Sequence, residues 1–411
     1  MASHVIGVAM TAFGRRPEVP VKQLVAEAVS AAIEDAGIAL TDVRASFFAC
    51  ALQGALEGQH AVAGQIALRA MGLGTWPVVN VENACASGDT ALYLADAHVR
   101  AGLADVVLVV GVERMTFDKA CAFEWFTGAW DVHEADRTVA GLLALGDGVE
   151  TPPGVEEPPA ERKSLFMDVY AALAKFHFKQ YGLTDRQLAS VAAKDHTHSV
   201  LNPLAQYRKP FTTAEILAAP VISWPITLPM CAPITDGAAA VVVCSDEFLS
   251  RVDRRRAVPI AAAELGSGSD RAPADLGNHL SRRTAARAYE RAGIGPDDVD
   301  LAEIHDATSF GEILQSESLG LVPPGDGGAA AEAGETTLGG RMPINVSGGL
   351  VSKGHPIAAT GLAKTFELVT QLRGEAGARQ VPGARWGISQ GGGGFLGIED
   401  ASTCVTILGG K

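Results

Sequence analysis

Cys85 is the residue whose surroundings most favour nucleophilic chemistry. It lies in the segment NACASGDTAL, after a predicted strand and at the start of a predicted helix of small residues. A helix N-terminus stabilises negative charge, so a thiolate forms there more readily than on a free cysteine. The alternative is an inert cysteine, because free cysteines are commonly buried. We keep that interpretation for the other cysteines, which are Cys50, Cys121, Cys231, Cys244 and Cys404.

Two histidines in motifs with few conformational choices could supply the base that such a thiol needs. His355 lies in SGGLVSKGHPIAATG, where Pro356 fixes the backbone and glycines flank the turn. His305 and Asp306 follow the predicted strand Leu301–Ile304, and polar side chains at a strand end often bind or polarise a substrate. The alternatives are a loop histidine with ordinary hydrogen bonds for His355 and a helix N-cap for Asp306.

The glycine run 391–394 invites two motif interpretations that fail. Residues 387–391 fit G-x-S-x-G, but that hydrolase motif must open a helix, and a glycine run is a poor helix start. A dinucleotide fingerprint must open a helix too, whereas Phe395-Leu396-Gly397 leads into a predicted strand. What remains is either a loop whose bare amides face an oxyanion or a plain turn between strands.

The sequence predicts no metal site. His196 and His198 form an HxH pair in a predicted helix, but residues two apart do not share a helix face. The cysteines show no paired spacing, which argues against zinc and against a disulfide framework and favours a reducing cytoplasm.

An internal repeat indicates how the chain positions these residues. Ala32–Cys50 (AIEDAGIALTDVRASFFAC) and Ala288–Asp306 (AYERAGIGPDDVDLAEIHD) each read as a helix end, a glycine stop, an Asp-Val turn and a strand. Gly37 and Gly293 suit the left-handed residue that ends a helix. The sequence therefore predicts two similar α/β halves.

Cys85 follows the first copy of the repeat and His355 follows the second. Duplicated halves usually pack about a pseudo-two-fold axis, which would bring these two turns together. We predict a first half over 1–118, continued by about 231–250 through the strand Asp236–Ser245, an inserted loop region over 119–230, and a second half over 251–411.

Composition excludes several classes of protein. The chain has 411 residues, 47% of them hydrophobic, which fits one large or two medium domains. A net charge of −14 argues against a nucleic-acid binder. The longest uncharged run, Ile216–Thr235, contains four prolines, so it predicts no membrane-spanning helix, and the N-terminus shows no signal-peptide pattern.

The order NACASG, HDAT, SGGLVSKGHP and then a glycine run before the last strand resembles the thiolase superfamily over nearly the whole chain. The His-Asp pair is similar to the sterol-carrier-protein type and its bacterial relatives of the benzoylsuccinyl-CoA thiolase kind. The resemblance implies a five-layer αβαβα fold of duplicated halves with an inserted loop domain, and a homodimer.

The resemblance also implies acyl transfer from an acyl-CoA to Cys85, with His355 activating the thiol. His305 and His355 would hold the thioester oxygen, and the amide of Cys85 with a glycine amide of the 391–394 run would form a second oxyanion hole. Coenzyme A would be a substrate or product, with no cofactor bound permanently. The predicted oxyanion or substrate-binding residues are Gly391, Gly392, Ser347 and Gly348.

One departure from the family pattern leaves the reaction open. Thiolases carry a second cysteine, either before the C-terminal glycine run or after His-Asp, where this chain has Ser389-Gln390-Gly391 and Ala307. Relatives that depart in this way include steroid side-chain aldolases, and several work with a small OB-fold/zinc-ribbon partner protein. Our first hypothesis is a C-acyltransferase acting on β-ketoacyl-CoA. The alternatives are a retro-aldolase acting on β-hydroxyacyl-CoA, a ketoacyl-synthase-like condensing enzyme, and a non-catalytic subunit.

Overall fold

The structure is a computed structural model that describes residues 2–72, 75–159 and 164–410. Each predicted unit includes residues outside these ranges: 1 and 73–74 in the first half, 160–163 in the insertion, and 411 in the second half. The strands are β1 (Ser3–Met10), β2 (Ala45–Ala49), β3 (Val78–Val81), β4 (Val106–Arg114), β5 (Val221–Ser223), β6 (Ile226–Thr227), β7 (Asp236–Ser245), β8 (Val258–Ser267), β9 (Leu301–Glu303), β10 (Trp386–Leu396) and β11 (Glu399–Gly409).

Along the chain, the α-helices lie between strands in both halves, and those of the insertion follow one another ahead of its first described strand. They are α1 (Val21–Ala36), α2 (Gln53–Glu57), α3 (Ala63–Arg69), α4 (Ser87–Arg100), α5 (Lys119–Phe126), α6 (Ala135–Ala144), α7 (Leu165–Tyr181), α8 (Asp185–Val200), α9 (Thr213–Leu217), α10 (Leu280–Ala292), α11 (Ser309–Ser318), α12 (Gly327–Glu332) and α13 (Ile357–Leu372).

Nine strands form one mixed sheet in the order β3-β2-β4-β7-β1-β8-β11-β10-β9, and β5 pairs with β6 separately. The two halves of the large sheet join where β1 pairs with β8, at His4↔Pro259 and Val5↔Val258. Outward from this junction, each half has two antiparallel strand pairs followed by a parallel pair. An isolated parallel bridge between Ala302 and Ile344 takes the position in the second half that β3 has in the first. The predicted duplication is therefore confirmed.

Helices cover both faces of each half of the sheet, which gives five layers. Apolar residues of α1 pack on the outer face of the first half, and those of α10 pack on the outer face of the second half. Between the halves lie α4 and α13, whose apolar residues join a single core with strands from both. Strands covered on two sides need continuous apolar runs, and β4 and β7 have them.

The predicted helix stops are present in both copies of the repeat. Gly37 ends α1 at φ 65° and Gly293 ends α10 at φ 69°, each donating its amide to the last turn of the helix. The predicted strand Asp236–Ser245 is β7, which pairs with β1 and β4 of the first half. The insertion contains the predicted helices as α7 and α8.

The glycine run is not a loop. Gly391, Gly392 and Gly393 lie inside β10 and pair with Cys404, Thr403 and Ser402 of β11. The prediction of a loop was wrong because hydrogen bonds to the neighbouring strand, and not side-chain preference, hold this segment extended. None of the helices in the described residues is long and apolar enough to cross a bilayer.

The middle layer depends on glycines without side chains. A Cβ on Gly88 of α4 would lie 2.4 Å from the Ala358 carbonyl oxygen, and one on Gly111 of β4 would lie 2.3 Å from the same atom. Because Ala358 lies in the first turn of α13, these contacts fix how closely that helix approaches the first half.

We expect Gly111→Ala to lower the free energy of unfolding by about 1–3 kcal/mol, because backbone would have to move to make room for the methyl group. The matched control is Gly141→Ala in α6, where a Cβ meets nothing within 4 Å. That control should be neutral or stabilising by about 0.5–1 kcal/mol. Urea unfolding measures both variants, and equal stabilities would contradict the steric argument.

Candidate active site

The three predicted catalytic residues converge at the centre of the molecule. The Cys85 sulfur and a ring nitrogen from each of His305 and His355 lie within 4.8 Å of one another. The two imidazole rings meet edge to face, with centroids 5.3 Å apart. Cys85 comes from the first half of the chain and both histidines from the second, so the site exists only when the halves pack together.

A tight turn presents Cys85 at the head of α4. The turn Ala84–Ala86 is a short 3-10 helix, and Ala84 has φ 47°, a left-handed conformation that is uncommon for alanine. The Ser87 hydroxyl closes this turn, because it donates to the Ala84 carbonyl (2.6 Å) and accepts from the Asn83 amide (2.8 Å). Cys85 itself is half-buried and packs, as Trp125 does, against the apolar cluster that includes Met115 and Ile357.

The Cys85 thiol is not acidified. Burial raises the pKa of Cys85 to about 12, and the charges of Asp400, Glu113 and Glu82 add to this effect. The hydrogen bond from its own backbone amide acts in the opposite direction but is outweighed. The expectation of a lowered thiol pKa was therefore wrong, because desolvation at this depth exceeds what the start of one helix contributes. The resting sulfur carries its proton and needs a base.

His355 is held by two threonines. Its backbone amide donates to the Thr235 hydroxyl (3.0 Å), and its Nδ1 lies 2.7 Å from the Thr360 hydroxyl. Thr360 donates its single hydroxyl hydrogen to the Pro356 carbonyl (3.0 Å), so it accepts from Nδ1–H. This arrangement fixes the tautomer and leaves the Nε2 lone pair free to accept a proton.

Both histidines are neutral at rest. Burial lowers the pKa of His355 to about 3, and the charges of Lys364 and Lys353 lower it further. Burial likewise lowers the pKa of His305 well below its ordinary value, with His355 and Lys364 adding. The His305 amide donates to the Gln390 side chain (3.1 Å), while its buried Nδ1 has no partner among the described residues. His305 can therefore bind a ligand.

Asp306 positions the chain before His355. The helix that follows it, α11, has Thr308 as its N-cap, so the predicted capping role of Asp306 was wrong. The Asp306 carboxylate instead accepts from the amides of Leu350 (2.7 Å) and Val351 (3.4 Å), inside the π-helical turn Gly349–Lys353. Its buried side chain holds that turn in place.

The HxH histidines support the same turn from α8. His196 lies 3.0 Å from the Ser352 hydroxyl and 3.1 Å from the Pro229 carbonyl. The Nδ1 atom of His198 lies 3.0 Å from the Asn345 carbonyl oxygen, and its Nε2 atom accepts a hydrogen bond from the Leu338 amide (2.9 Å). These bonds occupy both rings, which agrees with the expectation that they do not form a metal site.

A buried ion pair links the elements that carry the site. The Lys364 ammonium of α13 lies 3.2 Å from the Asp89 carboxylate of α4 and donates to the Gln390 carbonyl of β10. All three side chains are buried. Because Gln390 also receives the His305 amide, Lys364 connects the surroundings of Cys85, His305 and the glycine run.

The four predicted oxyanion or substrate-binding residues have different surroundings. A Cβ on Gly391 would meet Asp89, and one on Gly392 would meet Asp400. Ser347 is bonded to the buried Glu303 and Lys353, and Gly348 packs against Ser199.

Gly393 is the glycine of the run that packs on the nucleophile. A Cβ on this residue would lie 2.9 Å from the Cys85 nitrogen. Sequence reasoning selected the run but not this position, because alternation along a strand cannot be read from four identical residues.

An aromatic cluster covers the far end of β10. Phe126, Trp130, Phe166, Tyr170 and Phe395 have neighbouring ring centroids 5.4–6.2 Å apart. Tyr170 is half-buried, and its phenol has no hydrogen-bond partner among the residues described here.

Comparison with known proteins gives consistent matches. The family profile "Thiolase, N-terminal domain" matches residues 3–216 and "Thiolase C-terminal domain-like" matches residues 268–409. An acetyl-CoA acetyltransferase of Methanothermobacter thermautotrophicus is 38% identical, covering 95% of this chain and 96% of the relative. Sterol carrier protein 2 of Rattus norvegicus is 36% identical, covering 93% of this chain and 68% of the relative.

Two further matches have names that refer to assemblies. Benzoylsuccinyl-CoA thiolase subunit BbsB of Thauera aromatica is 34% identical, covering 78% of this chain and 77% of the relative. The solved structure titled "Ltp2-ChsH2(DUF35) aldolase" has a TM-score of 0.77 and 23% identity, covering 99% of this chain and 97% of that chain. At this identity the structural match shows a shared fold.

We expect alkylation of Cys85 by iodoacetamide to accelerate about tenfold per pH unit from pH 6 to 9, because the thiolate fraction rises in this way below the thiol pKa. Peptide mass spectrometry resolves Cys85 from the other cysteines, and Cys85→Ser gives the background. An alkylation rate that levels off near pH 7 would show that the pKa of the Cys85 thiol is lowered, as the sequence predicts.

Thr360→Val should slow transfer of an acyl group from an acyl-CoA to Cys85 at pH 7 by about tenfold or more, as followed by intact-mass spectrometry, because His355 loses the acceptor that fixes its tautomer. Thr365→Val is the control, since this buried hydroxyl of the same helix bonds only to the Gly361 carbonyl (3.2 Å). Equal rates in the two variants would show that Thr360 does not orient the base.

Proposed function

The chain belongs to the thiolase family, and on this premise we propose that it is a CoA-dependent C-acyltransferase that cleaves or forms a β-ketoacyl-CoA through a thioester on Cys85. The observation that carries the proposal is the convergence of Cys85, His305 and His355 within 4.8 Å. A thiol, a base with a fixed tautomer and a second unpaired imidazole are the groups that acyl transfer needs.

In the proposed first step, Nε2 of His355 takes the Cys85 proton as the sulfur attacks the carbonyl carbon of the acyl-CoA. A free ion pair is unfavourable here, since burial raises the pKa of Cys85 to about 12 and lowers the pKa of His355 to about 3. Proton transfer must therefore accompany formation of the carbon–sulfur bond. Positioned general-base catalysis of this kind contributes about 10²–10⁴-fold in rate.

The developing oxyanion needs donors that are in place beforehand. We assign this task to His305 and to the backbone around Cys85, against which Gly393 packs without a side chain. The proposal keeps Gly391 and Gly392, which belong to the same segment of β10 without side chains. Ser347 and Gly348 remain as residues that shape the segment before His355.

The proposed assembly is a homodimer. β3 is the edge of the large sheet, and Val79 on it is 45% exposed, so the strand has a free side for pairing with a second copy. The name of the BbsB relative includes the word subunit, and the matched aldolase structure contains a DUF35 protein. These names support a small OB-fold/zinc-ribbon partner for this chain as well.

The proposal includes coenzyme A as substrate or product and a cytoplasmic location. All six cysteines are free, which suits a reducing compartment. The aromatic cluster beside β10 favours an apolar acyl group.

One observation favours the second candidate, a retro-aldolase acting on β-hydroxyacyl-CoA. The second cysteine of thiolases is absent, with Ser389 and Ala307 at its two known positions. Carbon–carbon cleavage by that route forms no acyl-enzyme, so the two functions differ in whether Cys85 becomes acylated.

Intact-mass spectrometry after exposure to a panel of acyl-CoAs tests the proposal. We expect a mass increase equal to one acyl group, its loss in Cys85→Ser, and its retention in Cys121→Ser, which changes a half-buried cysteine in the same apolar cluster. Acyl transfer to CoA should fall at least 100-fold in Cys85→Ser.

Two results would overturn this function. One is full turnover by Cys85→Ser. The other is release of an aldehyde or ketone from β-hydroxyacyl-CoA by wild-type protein that no acyl-CoA acylates.

A further inference from the structure

The three side chains that meet in the candidate active site are also a set of metal ligands. The Cys85 sulfur and one ring nitrogen each of His305 and His355 lie within 4.8 Å of one another. A thiolate and two imidazoles are donors that Zn²⁺ prefers, whereas Mg²⁺ and Ca²⁺ prefer oxygen. The three residues lie far apart along the chain, so their spacing in the sequence forms no metal motif.

We propose that Cys85, His305 and His355 bind a zinc ion that reversibly blocks the nucleophile. The binding depends only on how the three ligands are placed, whereas the block of acyl transfer rests on the proposed function. Zn²⁺ forms a bond to the Cys85 sulfur, and the thiol proton leaves to the solvent. The sulfur electron pair that attacks the acyl carbon is then shared with the metal. A chelator that removes the zinc, and a proton from the solvent, restore the free thiol.

The two imidazoles have the spacing of rings that share one zinc ion. Two rings bound to a tetrahedral zinc at the usual Zn–N distance of about 2.1 Å have centroids roughly 5 Å apart. The centroids of His305 and His355 are 5.3 Å apart, and the ring planes are inclined by 82°. This spacing places one ion within reach of both rings.

Each imidazole has a nitrogen available for a metal. His355 donates its Nδ1–H to the Thr360 hydroxyl oxygen (2.7 Å), which leaves the Nε2 lone pair free. An acceptor on the far nitrogen is what orients most zinc-binding histidines. The buried Nδ1 of His305 has no hydrogen-bond partner among the described residues, so this ring also has capacity for a ligand.

The surroundings of the sulfur favour a cation. The charges of Asp400, Glu113 and Glu82 act on Cys85 and oppose a negative charge there, and the same charges attract a positive ion. Cys85 is half-buried, so an ion from solution can reach its sulfur. Three protein ligands and an open fourth position are typical of zinc sites that exchange a ligand.

The lysines near the histidines do not remove this advantage. Lys364 lies 3.2 Å from the Asp89 carboxylate, and Lys353 lies 3.3 Å from the Glu303 carboxylate. All four side chains are buried. Because each ammonium is paired with a carboxylate, its repulsion of an ion at the imidazoles is reduced.

A second group of close ligand atoms within the described residues already has a cation. Asp195, Asp306 and Glu312 also lie within 4.8 Å of one another. The Lys194 ammonium donates to Glu312 and lies 3.2 Å from Asp195. The cluster thus has a positive charge of its own, and the set of Cys85 with the two histidines is the stronger metal site.

Cobalt takes the place of zinc in such sites and shows which ligands bind it. We expect Co²⁺, added to the full chain after EDTA treatment, to give a thiolate-to-cobalt charge-transfer band and the visible bands of a four-coordinate ion. One equivalent of Zn²⁺ should abolish both. Cys85→Ser should lose the charge-transfer band, while Cys121→Ser, which changes a half-buried cysteine in the same apolar cluster, should keep it. Circular dichroism checks that both variants are folded.

Zinc affinity, measured by competition with a chromophoric chelator, tests the histidines. Thr360→Val should weaken zinc binding by about 10–100-fold, because His355 loses the acceptor that orients it. His305→Gln removes a ligand and should weaken binding by more than about 100-fold, beyond the effect of an outer hydrogen bond. His133→Gln, which changes an exposed histidine, should bind zinc as wild type does.

The block of the nucleophile has its own measurement. Free Zn²⁺ at ten times its Kd should slow acylation of Cys85 by an acyl-CoA about tenfold, since roughly one site in ten stays empty by mass action. EDTA should restore the rate. Alkylation of Cys85 by iodoacetamide should slow by the same factor, and this reading needs no acyl-CoA.

The outcomes separate this inference from the proposed function. A charge-transfer band that persists in Cys85→Ser, or zinc affinity that is equal in His305→Gln and His133→Gln, would overturn the zinc site. Zinc that binds but leaves alkylation of Cys85 unchanged would overturn the block. If no acyl-CoA acylates Cys85 in zinc-free protein, the proposed function fails, while the cobalt spectrum and the alkylation rates still decide the zinc site.

Discussion

The backbone contact between the two central helices and the strand beneath them sets the dimensions of the site. Ala358 of α13 brings its carbonyl oxygen to where side chains on Gly88 and Gly111 would be, and Gly361 of α13 leaves the same kind of space for Asp89 of α4. The two helices therefore touch through main chain. One carries Cys85 just before its first turn, and the other carries His355 just before its own. Larger side chains at this contact would move the Cys85 sulfur away from the His355 imidazole, beyond the distance over which a proton transfers directly.

Depth in this middle layer decides the charge state of every reacting group. Burial is the largest influence on the pKa of Cys85, of His305 and of His355, and it favours the neutral form of each. The lysines behind the histidines act in the same direction on the imidazoles. A site of this kind holds no charge on its reacting triad until a substrate arrives, so charge appears only along the reaction coordinate, where preplaced donors stabilise it most.

Much of this arrangement could be predicted from the sequence, and the failures have physical reasons. Cys85, His305 and His355 were found because each lies in a local motif of small or rigid residues, and the repeat with Gly37 and Gly293 indicated two matching halves. The acidity of the thiol was predicted wrongly because burial is a property of the whole fold.

The remaining errors concern partners that are distant in sequence. The glycine run alone predicts a loop, because its regular extended structure comes from pairing with β11 and not from its own residues. Asp306 bonds to Leu350 and Val351, more than forty residues away.

The ion pair between Asp89 and Lys364 has an evolutionary consequence. Each side chain is almost fully enclosed, so replacing one alone would strand an opposite charge in the core at a cost of about 3–5 kcal/mol, while replacing both with apolar residues of similar size would cost far less. The two positions are thus epistatic. Homologues that lack one of these charges are expected to lack the other, and a lineage can change this pair only by a joint or compensated substitution.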